Sequence, residues 1–134
     1  MLSTETYRRV VRASAWYDLA VALPFATPLT LTISWAALSR LEANLGLAPL
    51  PTLTVYGTLF ANFFGTVVLV WSVLRLRGDA VQLGRYDAVG RGLFSLWMLV
   101  ALANGASPLI WAFVALEVSF GVLQALPLRK VGPT

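Results

Sequence analysis

One carboxyl group lies in the middle of an otherwise apolar segment. Glu117 has about nine residues of segment 108–126 on either side of it. A charged side chain at the centre of a bilayer costs about 2.5–3.5 kcal/mol on insertion scales, so such a group needs a partner or a function. On a helix, Gly121 and Gln124 share its face and make a narrow polar stripe. Glu117 is therefore the first candidate for binding a cation or carrying a proton.

Three further polar residues are expected at related depths. Asn62 lies about nine residues into the second apolar segment, which places it near the depth of Glu117 because both helices enter from the same side. Asp18 and Arg91 each lie about five residues inside their own segments, from the opposite side. Arg91 can reach Glu117 because its side chain extends about one helical turn. We therefore predict a polar track of Asp18, Arg91, Glu117 and Asn62 that forms a ligand-binding or ion-binding site.

The same residues also have a purely structural interpretation. Asn62 can act as an interhelical hydrogen-bonding group, worth about 0.6 kcal/mol. Asp87 precedes Arg91 by one turn, and Arg12 and Arg91 are possible partners for Asp18. These charges can form boundary ion pairs that set the helix ends. Both interpretations remain open at the level of the sequence.

The composition excludes several other chemistries. The chain has no cysteine and no histidine, which removes disulfides, thiol nucleophiles, Cys/His metal sites and haem ligation through histidine. The sequence shows no pair of nucleophile and base and no phosphate-binding loop, although a carboxylate with an arginine could serve a lipid-modifying reaction. We expect no catalytic residues, no metal, no cofactor and no enzymatic activity. The basic residues flank apolar segments instead of forming one stripe, so nucleic acid is not an expected partner.

Membrane-spanning helices must position these polar groups. Of the 134 residues, 58% are hydrophobic and 12% are charged, whereas soluble domains carry about 25% charged residues. Four apolar segments approach or exceed the length of about 20 residues that a span requires. Helices are expected because a lipid-facing backbone must satisfy its own hydrogen bonds. We predict an all-α integral membrane four-helix bundle, one domain covering residues 1–134 with spans at about 13–38, 53–74, 86–103 and 108–126.

The charge distribution predicts an orientation. Nine of the ten Lys and Arg residues precede the first span, lie between or just inside the second and third spans, or follow the fourth span; only Arg40 falls on the other side. The positive-inside rule then places both ends in the cytoplasm and the protein in the plasma (inner) membrane. A cleaved signal peptide is the rival interpretation of the N-terminal segment. Asp18 interrupts its apolar run, however, and no A-x-A cleavage pattern follows.

The first span contains two prolines. Pro24 and Pro28 each remove a backbone donor and clash with the preceding helical turn. We therefore predict that this helix is kinked or broken at these residues. The alternatives are a tolerated bend and an unwound stretch that lines a cavity.

The second span carries small residues at every fourth position. We call Gly57, Ala61 and Gly65 the small-residue ridge. Such a ridge allows another helix to approach closely, either within the bundle or across an interface with a second copy or a membrane-complex partner. The sequence does not choose between these partners.

Residues 56–65 read Tyr-Gly-Thr-Leu-Phe-Ala-Asn-Phe-Phe-Gly and resemble the second helix of the small fluoride channel family, four-helix proteins of similar length. The resemblance implies a small ion channel in which Asn62 lines the ion path. The third span departs from the family pattern, because residues 92–97 read Gly-Leu-Phe-Ser-Leu-Trp where the family has a break rich in threonine and phenylalanine. The one-sided charge also differs from the weak charge bias of those antiparallel dimers.

Two functional hypotheses follow from these observations. The leading one is a small polytopic membrane protein that binds or transports a small solute or lipid-like molecule at Glu117, Asn62, Asp18 and Arg91. The competing one is a non-catalytic accessory subunit or assembly factor that docks on a larger membrane complex through the small-residue ridge. The channel suggested by the resemblance is a further alternative.

Overall fold

The computed structural model describes residues 1–129, and within them the chain is all-helical. The prediction of an all-α fold is confirmed. Lys130, one of the basic residues that predict the orientation, lies outside the described residues. The helices are α1 (Thr4–Ala22), α2 (Pro28–Asn44), α3 (Val55–Arg77), α4 (Ala80–Ala103) and α5 (Ile110–Ala125), with a 3-10 turn at Leu23–Phe25 between α1 and α2.

Two of these helices are long and apolar enough to cross a membrane. They are α3, with 23 residues, and α4, with 24 residues. The segments on either side of the 3-10 turn pass the same test only when they are taken together. Helix α5 is apolar but has 16 residues, a length of about 24 Å along its axis. It is thus shorter than the hydrocarbon core of about 30 Å.

The first predicted span is broken where its two prolines fall, as the sequence predicts. Pro24 lies inside the 3-10 turn, Pro28 begins α2, and the helical segments on either side are bent by 97°. A capping box starts α2, since the hydroxyl of Thr27 accepts from the backbone N–H of Thr30 and the Thr30 hydroxyl accepts from the backbone N–H of Thr27. Helix α2 therefore begins as an independent helix, because its first N–H groups have their own partners.

Helix α4 begins at Ala80, whereas the third predicted span begins at about Tyr86. The reason is an N-cap: the carboxylate of Asp79 accepts from the backbone N–H of Val81 at 2.9 Å and from that of Gln82 at 3.4 Å. A side-chain acceptor at this position starts a helix even where the following residues are polar. The connection between α3 and α4 is consequently a tight turn.

The chain divides into two compact units. The first contains Met1–Ala15 and the chain from Leu74 onward, and the second contains Trp16–Val73. In the first unit, α4 packs along α5. In the second unit, the 3-10 turn packs against the start of α2.

The first unit also joins the two ends of the described chain. The backbone N–H of Leu2 donates to the carbonyl of Pro127 at 3.0 Å, and that of Arg129 donates to the carbonyl of Leu2 at 2.8 Å. Beside this pairing, Tyr7 and Val11 of α1 are fully buried. They pack on Gly84 of α4, where an added Cβ would lie 2.5 Å from a Val11 methyl carbon and 2.8 Å from the Tyr7 hydroxyl. Glycine at this position therefore lets α1 approach α4 closely.

Candidate functional site

Four ionisable side chains form a continuous buried network in the first unit. Nη1 of Arg75 lies 2.5 Å from Oδ2 of Asp87, and Nε of Arg91 lies 3.0 Å from the same oxygen. Nη1 of Arg91 lies 2.9 Å from Oε2 of Glu117. The exposed fractions of the four side chains are 0% for Arg75, 6% for Asp87, 3% for Arg91 and 11% for Glu117. Two guanidinium groups and two carboxylates balance in charge, so the network is neutral as a whole.

Helix periodicity explains how α4 contributes to this network. Asp87, Arg91 and Ser95 are spaced four residues apart, and all three are buried. Residues at this spacing lie one above the other on one face of a helix. The hydroxyl of Ser95 donates to the carbonyl of Arg91 at 2.8 Å. The face of α4 that packs inward is therefore polar at three successive turns, whereas large apolar residues such as Val89, Leu93 and Trp97 are exposed.

Helix α5 brings Glu117 to Arg91 through a close approach of the two backbones. Gly121 follows Glu117 by one turn, and a Cβ at this glycine would lie 3.4 Å from the Cβ of Arg91. The guanidinium of Arg91 also lies 5.1 Å from the centre of the Phe120 ring, a distance at which cation–π attraction is favourable. Arg91 is thus fixed by two carboxylates and one aromatic face.

A hydroxyl group extends the network from Arg75 to α1 and α5. Oγ of Ser14 accepts from Nη1 of Arg75 at 3.2 Å and from Nε2 of Gln124 at 2.8 Å, and it donates to the carbonyl of Val11 at 2.9 Å. Ser14, Arg75 and Gln124 are all fully buried. The amide nitrogen of Gln124 is thereby satisfied, while its Oε1 is buried without a hydrogen-bond partner among the described residues. The hydroxyl of Ser14 consequently links three helices of the first unit.

The backbone carbonyl of Gln124 is the last acceptor of the network. It accepts from the hydroxyl of Tyr7 at 2.9 Å and from Nη1 of Arg85 at 2.8 Å. The guanidinium of Arg85 lies 5.0 Å from the centre of the Tyr7 ring. This carbonyl belongs to the last turn of α5, where helical carbonyls lack intrahelical partners. Two side chains therefore cap α5 and connect it to α1 and α4.

Of the predicted site residues, Arg91 and Glu117 are in direct contact. The predicted contacts of Arg91 with Asp87 and with Glu117 are both confirmed. Asp18 and Asn62 belong to the second unit. Nδ2 of Asn62 donates to the carbonyl of Phe25 at 2.8 Å, at the proline break. The amide nitrogen of Asn62 thus satisfies a backbone oxygen that the break would leave without its helical partner.

The small-residue ridge is used in part within the second unit. A Cβ at Gly65 would lie 2.6 Å from the carbonyl carbon and oxygen of Phe25, so only glycine permits this contact. The ring of Phe25 meets that of Phe64 edge to face, with centroids 6.0 Å apart. At Gly57 the nearest heavy atom to an added Cβ is Oγ1 of Thr54, at 3.1 Å. Gly65 therefore accommodates the 3-10 turn, and Gly57 stays on the exposed side of α3.

Several network residues were missed by the sequence interpretation, which assigned Arg75 and Arg85 to membrane topology. The position of Arg75 opposite Asp87 depends on the tight turn between α3 and α4, which no periodicity within one helix reveals. Ser14 is one of many small polar residues in the sequence, and only tertiary packing distinguishes it. Gln124 did carry a signal, because it shares a helical face with Glu117.

Comparison of the chain with known protein families, with curated proteins and with solved structures finds no match.

Proposed function

We propose that this chain is a small multi-pass membrane protein that binds or transports a small solute or lipid-like molecule at a polar site formed by Asp87, Arg91 and Glu117. In this proposal the helices form a four-span bundle in the plasma (inner) membrane, with both ends in the cytoplasm. The observation that carries the proposal is the position of Arg91, which is buried between two carboxylates on apolar helices.

The cost of burying these charges supports a functional role. Each buried ion loses several kcal/mol of hydration, of the order that ion pairing only just repays. Apolar side chains of similar size could pack α4 against α5 without that cost. Ionisable residues within membrane helices are accordingly rare, and they mark substrate or ion pathways. The four-residue network fits this pattern better than it fits a purely structural contact.

Glu117 is the member of the network best suited to exchange partners. Its side chain is the most exposed of the four, at 11%. Arg91 contacts Asp87 through Nε and Glu117 through Nη1, so the two contacts use different atoms. A ligand cation that takes Glu117, or a ligand anion that takes Nη1 of Arg91, displaces one contact and leaves the contact with Asp87 in place. Positive or neutral polar groups on the ligand would thus bind at the Glu117 end.

Native mass spectrometry of the protein released from membranes in mild detergent tests this function. We expect the wild-type protein to carry a small molecule or lipid of constant mass. The Glu117→Gln variant should lose at least about 90% of that adduct, since one charge-assisted contact contributes about 1.5–3 kcal/mol. Ser119→Ala is the matched control, because Ser119 is exposed on the same helix and its hydroxyl bonds only within α5 at Ala115.

Two results would contradict the proposal. One is full retention of the adduct by a folded Glu117→Gln variant. The other is a wild-type particle without any small molecule that contains other membrane subunits in fixed ratio. That second result would support the accessory-subunit hypothesis, which the exposed position of Gly57 on the small-residue ridge favours.

A further inference from the structure

The sharp break between α1 and α2 determines where α2 can lie in a membrane. We propose that α2 lies within a single leaflet, close to the membrane plane, with its exposed face in lipid. The leaflet is the one at the Val55 end of α3. In this arrangement the second half of the first predicted span does not continue across the bilayer. The proposal does not depend on the function of the buried network.

The break is built as a stable corner in apolar surroundings. Within hydrocarbon, every backbone polar group needs a partner inside the protein. Pro24 and Pro28 have no N–H to satisfy. The N–H of Ala26 donates to the carbonyl of Leu23 at 3.1 Å, and the carbonyl of Phe25 accepts from Asn62. Together with the capping box of α2, these bonds provide partners for the backbone N–H groups of Ala26, Thr27 and Thr30 and for the carbonyl of Phe25.

Two independent lengths place this corner at the same depth. Asn62, which bonds to the corner, lies seven residues from Val55, or about 10 Å from that end of α3 along the helix axis. On the other side, the part of α1 and the 3-10 turn that lies within the first predicted span runs from Ala13 to Phe25, about 18 Å along its axis. In a hydrocarbon core of about 30 Å, this leaves about 10 Å to the far boundary. The corner is thus about 10 Å inside the far surface, which is close to the depth of interfacial helices.

The angle at the corner keeps α2 at that depth. A second half-span would have to continue roughly along the direction of the first, but the bend is 97°. Helix α2 has 17 residues, or about 25 Å along its axis. At nearly a right angle to α1, almost none of that length is directed across the membrane. Helix α2 therefore extends sideways within the leaflet.

The exposed face of α2 fits this location. Leu29 and Ile33 are 70% and 62% exposed, and Ala36 and Arg40 are exposed on the same side of the helix. These four residues fall within about 60° of one another at 100° per residue. The apolar members suit the acyl chains, and the long side chain of Arg40 can extend its guanidinium to the headgroups. Lipid is the partner that accommodates both.

Depth measurement along the helix tests the proposal directly. The chain contains no cysteine, so single cysteines can be introduced and spin-labelled without changing its background. The labels on α2 are placed by Leu29→Cys, Ile33→Cys, Ala36→Cys and Arg40→Cys. The matched control series on α3 has the same spacing and is also exposed: Tyr56→Cys, Phe60→Cys, Phe63→Cys and Val67→Cys. Relative collision with oxygen and with a water-soluble nickel chelate reports the depth of each label in lipid vesicles.

The two series should differ. From the first to the last label, both span about 16 Å along the helix axis. We expect depth to change by most of that distance on α3 and by less than about 5 Å, one helical turn, on α2. A steady gradient on α2 equal to that on α3 would overturn the proposal. The proposal would also be overturned if all labels on α2 were in water. It would likewise be overturned if label depth did not change along either series, since the chain would then not be inserted as described.

Discussion

The charge network of the first unit and the proline break of the second solve the same problem in different ways. Both keep polar groups satisfied in a chain with much exposed apolar surface. In the network, the groups are ionised side chains, and Asp87 and Glu117 meet the guanidinium of Arg91. At the break, the group is a backbone carbonyl, and the neutral amide of Asn62 meets it.

The difference shows which of these polar side chains the backbone requires and which it does not. A break forced by prolines exposes backbone groups whatever the function, so the hydrogen bond from the amide of Asn62 has a structural role there. Nothing in the backbone of α4 or α5 requires Asp87, Arg91 and Glu117 to be charged, because these residues lie within the helices, away from the ends that Asp79 and Arg85 cap. Charges that the fold does not need are better candidates for function, and four substitutions test this distinction.

The substitution Asp87→Asn should have the largest effect. It removes the carboxylate that contacts both Arg75 and Arg91, and loss of one partner from a buried ion pair typically costs about 3–5 kcal/mol. Thermal unfolding in mild detergent measures this loss. Glu5→Gln is the control, because Glu5 forms an exposed pair with Arg9 that should add little to stability. If Asp87→Asn and Glu5→Gln were equally stable, the contacts of Asp87 would contribute no more to stability than an exposed ion pair does.

The substitution Gly65→Ala tests the packing of the break. Its methyl group would overlap the carbonyl of Phe25, and overpacking of this kind usually costs about 1–3 kcal/mol. Gly92→Ala is the matched control on α4, where an added Cβ meets nothing within 4 Å. It should leave stability unchanged or raise it by up to about 1 kcal/mol through helix propensity. The free energy of unfolding in detergent distinguishes them, and a Gly65→Ala protein as stable as Gly92→Ala would contradict the close contact.

The substitution Asn62→Ala should lower stability by about 1 kcal/mol, since hydrogen bonds between membrane helices average about 0.6 and reach about 1.7 kcal/mol. Asn104→Ala is the comparison, because Asn104 is exposed and bonds only within its own helix at Val100. Unfolding of both variants under the same conditions measures the difference. If Asn62→Ala keeps full stability but loses a bound ligand, Asn62 belongs with the functional residues and the contrast between the two regions fails.

The smallest effect is expected for Tyr7→Phe. It removes one of two donors to the carbonyl of Gln124, while Arg85 still donates to it. A single neutral hydrogen bond contributes about 0.5–1.5 kcal/mol, and we expect the low end. Combining Tyr7→Phe with Arg85→Gln should cost more than the sum of the two single changes, because the carbonyl then loses both donors. Strict additivity would indicate that the two side chains stabilise α5 separately.

Local patterns in the sequence predicted features within one helix better than they predicted contacts between helices. Proline chemistry identified the break, and the four-residue spacing with a long side chain identified both contacts of Arg91. Helix α4 begins six residues before the third predicted span, because Asp79 forms an N-cap that the sequence interpretation did not weigh. Arg75 could not be found, since its contact depends on a turn between two helices. For Asn62 the sequence left a ligand site and an interhelical hydrogen bond open, and its acceptor, the carbonyl of Phe25, is 37 residues away in the chain, so no local pattern identified it.

The pairing of Leu2 with the segment around Leu128 limits how many times the polypeptide can pass through a membrane. Two chain segments joined by backbone hydrogen bonds at 2.8 and 3.0 Å are on the same side of a bilayer. The chain between them must therefore cross an even number of times. If α3 and α4, which are long and apolar enough to cross a membrane, form one pair of crossings, α1 and α5 must either both cross or both remain on one side. An odd number of passages is incompatible with this pairing.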